Sequence, residues 1–354
     1  MNFDKLNGSI LPPDDRAMAI SRARWNSIAK PIGSLGLLEE AVIKIAGLTG
    51  NADVKLRMRA VVVMCADNGV VEEGVTQTDS SITALVAGNI AKGDASVCHM
   101  ASIAGADVFP VDIGMLTRRE GVLDLHIADG TKNMTKGPAM TREQAESAIL
   151  AGIDMVEKCK KQCYDIIATG EMGIGNTTTS SALAAVLLGI PVPQITGRGA
   201  GLSDEGLERK TKAIEKAIEE NEPDRSDPLD VLLKLGGFDI AGIAGLFIGG
   251  AIHRIPILVD GFISSVAALV ASRLCPASIC AMLAAHRSGE RASQIILSEM
   301  GLSPLICAEM RLGEGTGAVC ALPLLDMALS VYGEMPSFNE IGMEAYVPME
   351  EGKL

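Results

Sequence analysis

Hydrophobic positions change their period along the chain, and each change marks an element. Residues 14–50 carry apolar positions at helical spacing, interrupted at Lys30-Pro31-Ile32-Gly33-Ser34. This predicts one helix before the turn and a second over Leu35–Gly47. From Arg59 the helical period is lost. AVVVMCADNG is a short β-branched run closed by turn residues, the pattern of a strand buried on both faces. A helix over about Ser80–Ala104 follows, then a strand at 106–114. Thr141-Arg142-Glu143-Gln144 is a capping box that opens an amphipathic helix to about Lys161. DIIATGEMGIGN at 165–176 reads as strand then loop, TTTSSALAAVLLG as a small-residue helix, 205–221 as a charged helix and 222–229 as a polar break. GGFDIAGIAGLFIGGAI is a glycine-laced apolar helix, IPILVDG at 255–261 a strand and loop, and 262–274 a further apolar helix. The last helix follows RLGEGTGA and runs to about Tyr332, ahead of an irregular acidic tail.

Strands alternating with helical crossovers predict an α/β fold, a parallel sheet with helices on both faces. The chain's two ends hold no strands. They are expected to form a small helical domain from residues 1–55 and 326–354, beside a large α/β domain at 56–325. Composition agrees: hydrophobic residues reach 48% but aromatics only 3%, so Ala, Val, Ile, Leu and Met must build the core. That mixture suits helices layered on a parallel sheet better than a β-sandwich.

The net charge of −13 lacks the basic footprint that nucleic-acid binding needs, so a phosphorylated ligand would have to be held by local donors. Eight cysteines without a C-x-x-C pair read as buried free thiols of a reducing compartment. MNFDKLNGSILPPDD lacks the charged-then-apolar pattern of a signal peptide. The most apolar stretch, Gly237–Leu274, is broken by His253, Arg254 and Asp260. A cytoplasmic protein acting neither on nucleic acid nor in a membrane is expected.

In such a sheet, ligands lie at the carboxyl ends of the strands. Polar, glycine-bearing segments fall at that rim: Asp67-Asn68-Gly69, Asp112-Ile113-Gly114, Gly170–Asn176, Asp260-Gly261, His286-Arg287-Ser288 and Gly313–Gly317. GEMGIGNTTT runs straight into a helix. There Gly173 and Gly175 admit an anion close to the backbone while Asn176 and Thr177 add donors, or the glycines merely fit the bend. The loop is neither a Walker A, which needs Gly-Lys-Ser/Thr, nor a dinucleotide fingerprint. Lys210 has the charge to neutralise a phosphate, and by spacing alone is an ordinary solvated helix lysine. Glu314 sits among Gly313, Gly315 and Gly317 just before a helix, free to act as a base or to cap that helix. Glu171, at a strand end, has the same two uses. The four histidines (99, 126, 253, 286) are too dispersed for a metal site, and no G-x-S-x-G elbow occurs. No metal and no cofactor are expected.

RWNSIAKPIGSLGLLEE, CADNGVVEEGV, ATGEMGIGNTTTSSAL, GGFDIAGIAG, PILVDGF, HRSGE and RLGEGTGA occur in this order from about residue 24 to 325. Together they resemble the nicotinate-nucleotide–dimethylbenzimidazole phosphoribosyltransferase (CobT) family of cobalamin nucleotide-loop assembly. The resemblance implies a Rossmann-like sheet, a homodimer, and a small helical domain built from both chain ends. It implies transfer of phosphoribose from nicotinate mononucleotide to an aromatic base such as 5,6-dimethylbenzimidazole. It makes Glu314 the general base and Glu171 its supporting carboxylate. It puts Gly173, Lys210, Ser288 and Gly313 on the mononucleotide, and Thr78, Val86, Met172 and Leu312 around the incoming base. The chain departs from the family pattern at Asn68, where His is frequent, at Thr78 and Val86, where Ser and Gln or Met occur, and after HRSGE, where a second His is missing. These departures admit a relative that activates phenol or p-cresol as a heterodimer with a paralogue, or a non-catalytic partner subunit. A PRPP-dependent transferase is disfavoured because ILVDGF lacks the second adjacent acid.

Overall fold

The computed structural model describes residues 1–346; residues 347–354, the end of the expected C-terminal segment, lie outside the described residues. Three helices open the chain: α1 (Phe3–Ser9), α2 (Asp15–Ser27) and α3 (Leu37–Thr49). Then come β1 (Arg59–Ala66), α4 (Ser81–Lys92), α5 (Ser96–Ala104), β2 (Asp107–Gly114), the short β3 (Leu123–Asp124) and α6 (Arg142–Lys161). The middle of the chain forms β4 (Ile166–Met172), α7 (Asn176–Leu188), α8 (Val192–Ile195), α9 (Asp204–Asn221), α10 (Pro228–Leu235) and α11 (Phe238–His253). It closes with β5 (Ile257–Val259), α12 (Phe262–Leu274), β6 (Met282–Ala284), α13 (Ser293–Glu299) and α14 (Thr316–Glu334).

Among the described residues the six strands form one sheet in the order β3-β2-β1-β4-β5-β6, every pair parallel. This is a doubly wound sheet, with the strand order reversing between β1 and β4. β1 shows why its sequence is continuously apolar. Ala60, Val62, Met64 and Ala66 join the core on one face, while Val61, Val63 and Cys65 join the core on the other. Both faces are covered, so side chains of either parity must be apolar.

The first face is covered by α6, α7, α9, α10, α11 and α12, and α6 and α11 approach very closely. A Cβ at Gly152 would strike the Gly242 carbonyl, and one at Gly245 would strike the Ile149 carbonyl. The glycines of GGFDIAGIAGLFIGG therefore form a contact surface. The second face is covered by α3, α4, α5 and α14. Trp25 packs against Tyr332 with the ring centroids 5.0 Å apart and the planes tilted by 53°, and Arg24 donates to the Tyr332 and Met335 carbonyls at 2.9 Å. Lys44 donates to the Met282 carbonyl at 2.6 Å, so the helices that meet the chain's C-terminal part also rest on the sheet.

Several elements differ from the sequence expectation. The helix expected over 80–104 is two helices, because Gly93 takes φ +86° and Asp94 turns the chain. α1, α8, α10, α13 and the two- and three-residue strands β3 and β6 are too short to carry a period. α14 is apolar and long enough to cross a membrane by composition, but half of its most apolar window is buried against the core and its Asp326 pairs with Arg59. All eight cysteines are free; Cys163 and Cys307 are exposed where burial was expected.

The α6–α11 contact yields a prediction. Gly245→Ala should destabilise the protein by about 1–3 kcal/mol through overpacking. In thermal melts this should lower Tm by roughly 2–4 °C per kcal/mol. An unchanged Tm would mean that the helices do not rely on glycine there.

Candidate active site

Parallel strands place their carboxyl ends, and the N-termini of the helices that follow, along one edge of the sheet. At this edge, beyond β4, β5 and β6, lies a cavity of about 250 Å³. Its walls come from the β4–α7 loop (Glu171, Met172, Gly173, Asn176, Thr177), the ends of β5 and β6 (Asp260, His286, Ser288) and the segment before α14 (Leu312, Gly313, Glu314). Val86 of α4 closes one side, with Phe262 and Ile263 as further apolar wall.

Four carboxylates surround the end of β4. Glu171 is buried and accepts from the Asn176 Nδ2 amide, which also donates to Asp239 Oδ2 at 3.1 Å. Burial pushes the Glu171 carboxyl up to about 8, with Asp239, Asp260 and Glu314 adding repulsion against a modest pull from Asn176. Burial likewise raises Asp239 to about 6. Asp260 is raised by burial, opposed by His286 and by backbone N–H groups. Its Oδ1 accepts from the Ala318 N–H at 2.8 Å in the first turn of α14, and His286 Nε2 stands 3.7 Å away.

Glu314 owes its place to backbone geometry. Gly313, Glu314 and Gly315 take φ of +94°, +62° and +96°, a left-handed run in which only the glutamate bears a side chain. A Cβ at Gly313 would lie 2.5 Å from Glu171 Oε1, so the two acids' segments are in contact. The carboxylate does not cap α14, the helix that follows it. It accepts at 3.1 Å from the Val97 N–H, in the first turn of α5. The sequence suggested capping as one of its uses, but named the wrong helix.

Beside Glu171, α7 begins at Asn176 after Gly175, which takes φ +95°. Lys210 of α9 is 1% exposed, so it is not the solvated helix lysine its spacing suggests. Its ammonium donates to Thr177 Oγ1 at 2.8 Å and to the Gly197 carbonyl at 3.2 Å. Two of its three N–H groups are thus used. Burial lowers Lys210 to about 8, against an upward pull from Glu290.

The cavity brings together Glu171, Met172, Gly173, Asn176, Thr177, Val86, Ser288, Leu312, Gly313 and Glu314. Gly175 and Lys210 stand behind the wall. Thr78 is exposed outside the lining, its carbonyl accepting from Thr76 at 2.6 Å. Asp67 and Asn68 line a neighbouring cavity, and Asp112 faces His126 at 3.1 Å. Sequence reading singled out neither Asp239 nor the lining residues Glu290 and Arg311. Asp239 lies inside an apolar helix pattern, and the only signal for it was an isolated acid in the first turn of GGFDIAGIAG.

The raised Glu171 value has a stability consequence. Its folded carboxyl holds a proton that the unfolded one loses near pH ~4.3. Stability therefore falls as pH climbs from there to about 8, and is level above. Glu171→Gln removes this term. The Tm difference between variant and wild type should move in the variant's favour across that window. A pH-independent difference would show that Glu171 is not held protonated.

A family model described as Phosphoribosyltransferase matches residues 10–343. The nicotinate-nucleotide–dimethylbenzimidazole phosphoribosyltransferase of Clostridium acetobutylicum is 44% identical over 352 residues, 99% of this chain and all of that one. That of Acetivibrio thermocellus is 46% identical over 333 residues, 94% of this chain and 95% of that one. The crystal structure of CobT from Thermus thermophilus superposes with a TM-score of 0.87 at 37% identity, covering 93% of this chain and 99% of that one.

Proposed function

The chain belongs to the nicotinate-nucleotide–dimethylbenzimidazole phosphoribosyltransferase family, and from that premise we propose how it works. It is an enzyme of cobalamin biosynthesis that moves the 5-phosphoribosyl group of nicotinate mononucleotide onto a lower-ligand base. The products are an α-riboside 5′-phosphate and nicotinate. The observation that carries the reading is a single cavity lined by two carboxylates, Glu171 and Glu314, and by the first residues of α7, with a buried lysine behind Thr177.

The chemistry fits that lining. The leaving group is a pyridinium. When the C1′–N bond breaks, its electron pair neutralises the ring nitrogen, and nicotinate departs with no proton added. The incoming ring nitrogen attacks C1′ from the opposite face, which inverts the anomeric centre. The acceptor's N–H proton must then leave, and Glu314 in its carboxylate form takes it. Glu171, held up at about 8, stays protonated at neutral pH and spares the pocket a second negative charge beside Glu314.

The 5′-phosphate is assigned to the start of α7, with Gly173, Gly175, Asn176, Thr177, Ser288 and Gly313 around the mononucleotide and Lys210 acting through Thr177. Val86, Met172 and Leu312, with Phe262 and Ile263, give the acceptor a flat apolar slot. The exposed position of Thr78 favours a role at the slot's mouth. We infer a homodimer in the cytoplasm, supported by the exposed apolar side chains of Leu85, beside Val86, and Leu312 at the cavity rim. Residues 1–55 and 326–354 are proposed as the small helical domain, supported among the described residues by the contacts of Trp25 and Arg24 with Tyr332 and Met335.

Protein incubated with nicotinate mononucleotide and 5,6-dimethylbenzimidazole in EDTA should give a product of α-ribazole phosphate mass. No product, or product only with PRPP and Mg²⁺, would overturn the reading. Glu314→Gln should bind the mononucleotide yet lose turnover by roughly two to four orders of magnitude; near wild-type activity removes Glu314 from its role. Lys210→Met should raise the mononucleotide KM by about ten- to hundredfold, the worth of a charge-assisted contact. An unaltered KM would place the phosphate elsewhere.

A further inference from the structure

Asp239 lies in the first turn of α11, is wholly buried and does not reach the cavity. Its two oxygens have different partners. Oδ1 accepts from the Ile240 N–H at 3.0 Å, which satisfies a free donor of the helix N-terminus. Oδ2 accepts from Asn176 Nδ2 at 3.1 Å. The same Asn176 nitrogen donates to Glu171 Oε2, so both of its N–H groups are taken by carboxylates. An amide is planar. Fixing its nitrogen between two acceptors therefore fixes the orientation of the whole amide of Asn176, a residue of the cavity lining. A Cβ at Gly173 would stand 2.6 Å from Asp239 Oδ2, so this carboxylate also lies against the β4–α7 loop.

We propose that Asp239 is a positioning residue of the transfer reaction, acting through the Asn176 amide to hold the Glu171 carboxyl in the cavity wall. The role requires an acid. A carboxylate offers one oxygen to the helix and one to Asn176, whereas the isosteric amide has a single oxygen and must abandon one partner. The proposal rests on the phosphoribosyl-transfer reading. Its electrostatic part follows from position: the titratable groups facing Glu171 are Asp239 of α11, Asp260 after β5, Glu314 before α14 and Cys65 of β1. Asp239, raised only to about 6, is ionised at neutral pH and disfavours charge on Glu171.

Asp239→Asn keeps an acceptor for the Ile240 N–H and should fold. It should lower kcat by roughly ten- to hundredfold through misplacement of Asn176 and Glu171, with a smaller change in KM. The alkaline limb of the pH–rate profile should move to lower pH, because a like charge beside Glu171 is gone. In the Glu171→Gln background the same substitution should cost much less, since its effect runs through Glu171. A drop in kcat with an unmoved alkaline limb and full additivity would reduce Asp239 to a structural cap and overturn the proposal. Titration of Glu171 by ¹³C NMR, with the Gln variant as assignment, needs no turnover. A lower Glu171 midpoint in Asp239→Asn supports the placement even if the substrate reading fails, and an unchanged midpoint refutes it.

Discussion

Helix N-termini make it possible for four carboxylates to crowd the end of one strand. In a parallel sheet the strands' carboxyl ends and the following helices' amino ends share an edge, and each helix brings unpaired N–H groups and a partial positive charge. Three acids take such a group directly: Glu314 from α5, Asp260 from α14 and Asp239 from α11. Glu171 receives its donor from the side chain of Asn176, the first residue of α7. Without these donors, burying the acids together would cost several kcal/mol each. With them, the pocket still resists full ionisation, and burial raises Glu171, Asp239 and Asp260 alike.

This arrangement divides the work of the two cavity acids. Glu314 is partly exposed, on a left-handed backbone that turns it toward the ligand space. Glu171 is buried and neutral near pH 7. One is suited to receiving a proton, the other to holding one. The pairing of a carboxylate with a neutral acid suits a reaction whose leaving group needs no proton and whose nucleophile must lose one. Next to these acids, the fold uses α7 and Lys210 to supply local positive charge in a chain whose net charge is −13.

Much of this was legible in the sequence, for identifiable reasons. Strand β1 announced burial on both faces, Thr141 and Gln144 announced the start of α6, and the glycines around Glu314 announced a carboxylate with room to reach a ligand. What failed to show was long-range. That Glu314 caps α5 joins residues 217 apart in sequence, and no local rule names that partner. Lys210 resembled a surface lysine because its helix is charged, and only the packing of α9 beside α7 buries it. Asp239 disappeared inside an apolar pattern. Thr78 is exposed, although motif position put it at the base pocket.

In the proposed mechanism, turnover needs Glu171 in its neutral form beside the Glu314 base. The pH dependence of kcat, with nicotinate mononucleotide and a benzimidazole both saturating so that the binding role of Lys210 drops out, is the measurement that decides it. The rate should fall on the alkaline side with a midpoint at about 8, and this limb should vanish in Glu171→Gln. A wild-type rate that stays level or keeps rising well beyond that midpoint would contradict it.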